Sequence, residues 1–237
     1  MNSTGSSRRE RVRAATLDEI LSVARELLVK EGAAAVTLRA IAREMGMTAP
    51  ALYRYFPSLE ELLAALCAAL YHDVSDHLEQ ARDALPEDDP GTRLSAVCVA
   101  FRAWSVGHPA EFGLMFGSPL PDLGTDPQER PAYVAGLRFA GVFGGLFAQL
   151  WQRAPFPAPD ADEIEPDLRT ELERYLAELD LPLPVGAVQV FLSCWIRLYG
   201  MVTMEVFGHL NFAFSDVEPM FLAELADLGR RLGVAPS

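Results

Sequence analysis

The sequence has little of what catalysis or metal binding needs. Its 237 residues contain three cysteines and four histidines. Cys67, Cys98 and Cys194 are scattered and lack CxxC spacing, which excludes a zinc site and a disulfide framework and reads as reduced thiols. His72, His77, His108 and His209 are too far apart to argue for ligand spacing. No nucleophile–base pair and no glycine-rich phosphate loop stands out, so neither enzyme activity, a cofactor nor a metal is expected. Asp160, Asp162 and Glu163 read as a solvated acidic loop rather than a cation site. No N-terminal stretch has the form of a signal peptide. No apolar run reaches membrane-spanning length without a charge or a proline, so a cytoplasmic protein with no membrane partner is expected.

Positive charge is also scarce. Twenty Lys/Arg face 33 Asp/Glu, for a net charge of −13. Taken whole, that argues against a nucleic-acid partner, but the distribution reverses the argument. Residues 1–60 hold nine Lys/Arg and seven Asp/Glu, net +2, and the remainder carries −15. A positive N-terminal end is what docking onto phosphates requires, while an acidic remainder serves solubility.

Within that end lies Thr37–Phe56, the stretch on which the chain turns. Thr37 is a good N-cap, and Leu38, Ile41, Ala42 and Met45 follow at helical spacing. Gly46 stands where a left-handed residue ends a helix. Thr48 can cap a second helix with Pro50 in its first turn, where a missing N–H costs nothing. Leu52 and Phe56, four apart, pack inward. Ala49, Pro50, Ala51, Tyr53, Arg54 and Tyr55 are left to face outward. Small residues at a helix tip approach base edges closely, and Tyr hydroxyls and Arg reach phosphates. Two helices joined by a glycine turn also occur in many all-α proteins, so the flanks decide. Upstream, Thr16 and Glu19 form a capping box before a stripe of Leu17, Ile20, Leu21, Ala24, Leu27 and Leu28, ended by Gly32. Downstream, Ser58 and Glu61 form a second box, opening a helix with Leu59, Leu62, Leu63, Leu66 and Leu70.

With these residues in place, residues 16–66 resemble the N-terminal DNA-binding domain of the TetR family of transcriptional regulators. The match runs from Val36-Thr37-Leu38-Arg39 through Ile41-Ala42, Gly46 and Leu52-Tyr53-Arg54-Tyr55-Phe56 to Glu61-Leu62-Leu63. The resemblance implies that Thr37 and Tyr53 touch phosphates, that Ala49, Pro50 and Ala51 lie against base edges, and that Tyr55 touches the DNA backbone. Arg39 and Thr48 complete the expected DNA-binding set. Leu59 stands where the family often has Lys, which removes one phosphate contact.

The rest follows as helices and loops. Residues 1–15, with Arg8, Arg9, Arg11 and Arg13, read as a flexible basic tail, residues 16–66 as the DNA-binding head, and residues 67–237 as a ligand-binding and dimerisation domain. Helices are expected at Ser58 to about Leu85, Thr92–Gly107, after Pro109, at Ala132–Trp151 and at Asp167–Leu179. Loops are expected at 117–131 and 154–166. The glycines at 136, 141, 144 and 145 allow close helix approach or leave room for a ligand. Trp104…His108-Pro109…Leu114-Met115-Phe116 resembles the ligand-binding domain of a TetR subgroup named for a Trp…His-Gly motif. The later segment here reads Trp195-Ile196-Arg197-Leu198-Tyr199-Gly200, with Tyr199 in place of the His. Residues 185–207 are apolar nearly all round and need burial on most sides. The resemblance supplies the solution: Val185–Phe207 and Asp216–Leu232 pair with the same helices of a second protomer in a four-helix bundle.

The expected fold is therefore all-α, about nine to ten helices, with a three-helix helix-turn-helix head and a larger helical body. The expected ligand site is lined by Phe101, Trp104, Met115, Phe143, Trp195 and Tyr199, with Arg102 or Arg197 supplying a charge if either turns inward. The expected function is a homodimeric regulator, most simply a repressor, released from a palindromic double-stranded DNA operator by a small hydrophobic effector. The alternative is a helical small-molecule-binding protein or enzyme with a vestigial head.

Overall fold

Every element of this chain between residues 8 and 234 follows from helical periodicity cut by Pro and Gly. The computed structural model describes residues 8–117, 130–179 and 181–234, which form ten α-helices, one short 3-10 turn and no strand. The helices are α1 Arg8–Glu31, α2 Leu38–Glu44, α3 Ala49–Leu52, α4 Leu59–Asp83, α5 Pro90–Gly107, α6 Pro109–Phe116, α7 Pro131–Arg153, α8 Pro166–Leu179, α9 Val185–Val206 and α10 Glu218–Arg231. Four begin at proline, whose fixed φ suits a first turn and whose missing N–H is needed by no helical bond there.

The chain divides into two compact units. One holds the chain up to Tyr71 together with Ala110–Ala135; the other holds His72–Pro109 and the chain from Gly136 onward. The expected boundary after residue 66 falls inside α4, a continuous helix. In the first unit Ile20, Ala24, Ile41, Leu52 and Leu62 are fully buried and bring α1–α4 together. A second cluster joins Cys67 and Ala68 of α4 to Ala132 and Ala135 of α7, with Tyr71 and Leu114 at its edge. Arg25 of α1 pairs with the buried carboxylate of Glu111 on α6 at 3.3 Å.

In the second unit α9 is central, packed against by α5, α8 and α10. Phe101, Phe139, Phe143 and Trp195 form a four-ring cluster with all six centroid separations between 5.4 and 6.1 Å. Ion pairs tie the helices at their edges: Arg102 of α5 to Glu205 (2.6 Å) and Glu218 (3.2 Å), Arg197 of α9 to Asp227 (2.9 Å) and Glu224, and Arg138 of α7 to Glu79 (2.7 Å) and Asp76. Close approach explains one of the α7 glycines: a Cβ on Gly144 would lie 2.6 Å from Leu181, whereas Gly141 and Gly145 face open space. By length and composition α7 and α9 are each apolar enough to cross a membrane. Here they supply the apolar core of this unit, and Arg138 and Arg197 on them are held in ion pairs.

Three sequence expectations are corrected. Residues 8–15, assigned to the tail, form the first turns of α1; Thr16 donates to the Val12 carbonyl (2.9 Å) within the helix instead of capping it. The second helix of the motif is one turn long and does not reach Phe56. Neither Arg102 nor Arg197 turns inward to offer a free charge, since each is held by two carboxylates. Most of the expected 117–131 loop, residues 118–129, and residues 1–7 of the tail lie outside the described residues.

Candidate nucleic-acid interface and interior cavity

The head is built from its caps. Thr37 Oγ1 accepts from the Ala40 N–H at 3.1 Å and starts α2, whose Leu38, Ile41 and Ala42 are buried. The helix ends in a Schellman turn: the Met47 N–H donates to the Ala42 carbonyl (2.8 Å) around Gly46 at φ 64°. A side chain at that φ would be strained, so Gly46 sets the angle between α2 and α3. Thr48 occupies the N-cap of α3 without a side-chain capping bond, and Pro50 lies in the first turn. Beyond Leu52 the chain continues in tight turns, with Arg54 N–H to Ala51 O (3.3 Å) and Tyr55 N–H to Leu52 O (2.8 Å). Leu52 and Phe56 are buried and anchor this turn from below.

What remains outside is the expected surface. Thr37, Arg39, Thr48, Pro50, Tyr53 and Arg54 are exposed, and Ala49, Ala51 and Tyr55 are half-buried. Tyr53 is 48% exposed, high for a tyrosine in a packed head. Arg13, read from the sequence as part of a basic tail reaching towards DNA, is instead in α1: its guanidinium stands 5.3 Å from the centre of the Tyr55 ring, so the early turns of α1 flank the end of the reading turn. The charge alternation of Arg8–Arg13 carried the signal, but reading these residues as a tail hid it. Ser58 Oγ accepts from the Glu61 N–H (3.2 Å), the second capping box, and Leu59 is half-buried.

In the second unit an apolar cavity of about 40 Å³ lies among α5, α7, α9 and α10. Its walls include Leu94, Ser95, Cys98, Phe143, Phe147, Phe191, Cys194, Trp195, Leu198, Leu225, Leu228 and Val234. No charged side chain is among them. Of the expected ligand residues, Phe143 and Trp195 border this cavity. Phe101 and Tyr199 do not border it but contact Trp195, at 5.6 Å each. Trp104 stacks on His108 at 4.9 Å, and the His108 Nδ1 lies 2.8 Å from the Trp104 carbonyl. Met115 is buried in the other unit. Sequence reasoning missed the α10 side of the cavity: Leu225, Leu228 and Leu232 recur at helical spacing, and the whole stripe was assigned to the dimer. Burial raises the thiol pKa of Cys98 to about 12, with a further push from Cys194, and Cys194 is raised by burial as well.

A capped helix–turn–helix with an exposed Tyr/Arg tip, followed by a helical body with an apolar interior, defines a DNA-binding transcriptional regulator. The chain belongs to the TetR family. Residues 20–66 match the family profile described as bacterial regulatory proteins, tetR family, and residues 94–228 match the one described as tetracyclin repressor-like, C-terminal domain. The HTH-type transcriptional regulator Rv1816 of Mycobacterium tuberculosis is 32% identical over 191 residues, 80% of each chain. The crystal structure of a regulatory protein, SCO4313, superposes with a TM-score of 0.71 at 30% identity, covering 94% of this chain and 98% of that one. RolR, solved in complex with resorcinol, shares the fold at a TM-score of 0.58 and 17% identity, covering 94% of this chain and 90% of that one.

Proposed function

We propose that this regulator is a cytoplasmic homodimer that leaves a palindromic operator when a small, uncharged, apolar molecule fills its body. Ala49, Pro50 and Ala51 meet base edges in the major groove, and Thr37, Arg39, Thr48, Tyr53, Arg54 and Tyr55 hold the phosphate backbone. The two heads read half-sites ~34–36 Å apart or a multiple of that. The partner protomer packs on the α9–α10 face. In the body Phe143 and Trp195 line the effector site, and Phe101 and Tyr199 support Trp195. The body is of the Trp…His-Gly type, with Tyr199 doing without the ring nitrogen of the usual His. The reading assigns the chain no catalytic role.

One observation carries this proposal: a single chain joins an exposed reading tip to a body whose interior space has no charged wall. A space of that chemistry rejects ions and rewards apolar area, and any ligand that prefers one body conformation shifts DNA affinity by the same linkage free energy. The test is titration of operator complexes with neutral hydrophobic compounds, with tryptophan fluorescence followed in parallel. Release of DNA at the concentration that saturates the fluorescence change supports the reading. Operator affinity unmoved by every compound that changes the fluorescence overturns it.

A further inference from the structure

Val234 stands at the junction of three concavities. It borders the 40 Å³ interior cavity, an open groove of about 570 Å³ beside Val99, Leu222 and Ala226, and a cleft of about 330 Å³ beside Asp89, Leu150 and Arg153. Its place is set by the way α10 ends. Gly233 takes φ 70°, its N–H donates to the Arg230 carbonyl (3.2 Å), and the Val234 N–H donates to the Gly229 carbonyl (2.8 Å). This Schellman turn sends the chain back across the helix end. It lays the Val234 side chain on Gly91 of α5, so closely that a Cβ on Gly91 would lie 2.7 Å from Val234 Cγ1. Val234 borders all three spaces; Ser95, Leu225 and Gly229 stand with it between cavity and groove, and Gly91 and Leu232 stand with it between cavity and cleft.

We infer that Val234 is the gate of the effector site, and that the molecule it admits is uncharged and apolar. This inference rests on reading the body as an effector domain. A space of 40 Å³ has room for little more than ordered water, whereas ligand sites occupy about 300–1,000 Å³. Turning Val234 aside widens the connection between the cavity and the neighbouring groove and cleft. The other walls belong to packed helices, while Val234 follows the last helix and is held by a terminal turn, the kind of structure that opens at low cost. The chemistry of the guest follows from the wall. The Ser95 hydroxyl, the Cys98 and Cys194 thiols and the Trp195 indole N–H are the polar side-chain groups in it, all neutral, so a charged group would enter without a charged partner.

The experiment uses the full-length protein and N-phenyl-1-naphthylamine, a neutral apolar fluorophore excited by energy transfer from tryptophan. Two variants loosen the same contact from opposite sides. Val234→Ala shortens the gate, and Gly91→Ala pushes it away from a position near the start of α5 where alanine favours the helix. Each raises the fraction of open protein, so each raises the association rate and apparent affinity of the probe about threefold or more. Unchanged association rates in both gate variants overturn the inference and leave the regulatory reading standing. Absence of saturable binding to the wild type and both variants overturns the inference too. Gate-dependent binding that never alters operator affinity supports the gate and removes the regulatory reading.

Discussion

Cys98 and Cys194 face one cavity from two helices, and burial decides what they can do there. A thiol with its pKa near 12 is ~10⁻⁵ ionised at pH 7, so it packs as a small apolar group and reacts poorly. Cys67 is pushed up to about 12 by burial in the other unit. Iodoacetamide at neutral pH is therefore expected to leave all three thiols of the native protein largely unmodified and to label them after denaturation. Fast labelling of the native protein contradicts this. The sign of the pH dependence follows from the same shifts. The folded pKa lies above the unfolded one, so this contribution to stability is complete below about pH 9. It is lost as pH rises from there towards 12, because the unfolded chain releases the protons first. The urea midpoint should fall from pH 8 to pH 10, and less so in a Cys67→Ala variant compared with its own value at pH 8. Thr37 carries a separate term. Its Oγ1 satisfies the Ala40 N–H, and Thr37→Ala is expected to cost about 1 kcal/mol of stability, read as a lower urea midpoint at unchanged slope.

The elements show which signals in a sequence are local and which are not. The cap at Thr37, the turn at Gly46 and the box at Ser58–Glu61 were legible because each is a contact between residues a few positions apart. The start of α1 was misplaced for a physical reason. Thr16 and Glu19 have the spacing of a capping box, but the preceding Arg-Arg-Glu-Arg-Val-Arg-Ala-Ala run holds strong helix formers and no breaker, so the helix extends back to Arg8. The cavity was only half legible, because it is made by four helices and its α10 wall looked like any other apolar stripe. The reading turn itself yields a prediction that separates two kinds of contact. Tyr53 is neutral, so Tyr53→Ala should weaken binding to every duplex without changing the salt slope. Arg54→Gln should lower the slope of log K against log salt by about one per half-site, through one lost phosphate contact. Substitution at Ala49 or Ala51 should change base preference instead. Operator affinity unchanged in Tyr53→Ala at matched salt removes the assigned contact.

At the scale of the whole molecule, the apolar surplus of α9 asks for a second protomer. Within one chain the helix buries Val188, Val190, Phe191, Cys194, Leu198 and Val202, yet Ile196 stays 68% exposed and Met204 and Phe207 42% each. Ile196, Gly200, Thr203 and Phe207 follow one another at spacings of four, three and four, a single stripe along the helix. A cyclic dimer meets itself with the same patch on both sides, so a stripe of this kind, with Gly200 open to close approach, suits a two-fold contact. The stripe also shows which substitution tests the interface. Val202 is fully buried within its own protomer, so a charge there would unfold the protein rather than separate two copies. Ile196→Glu leaves the protomer core untouched and sets two carboxylates against an apolar surface at the two-fold. The variant is expected to sediment as a monomer at low micromolar concentration, with the helical circular dichroism of the wild type. Its operator affinity should fall by orders of magnitude, because one head grips only one half-site. A dimeric Ile196→Glu protein with wild-type operator binding would place the interface elsewhere.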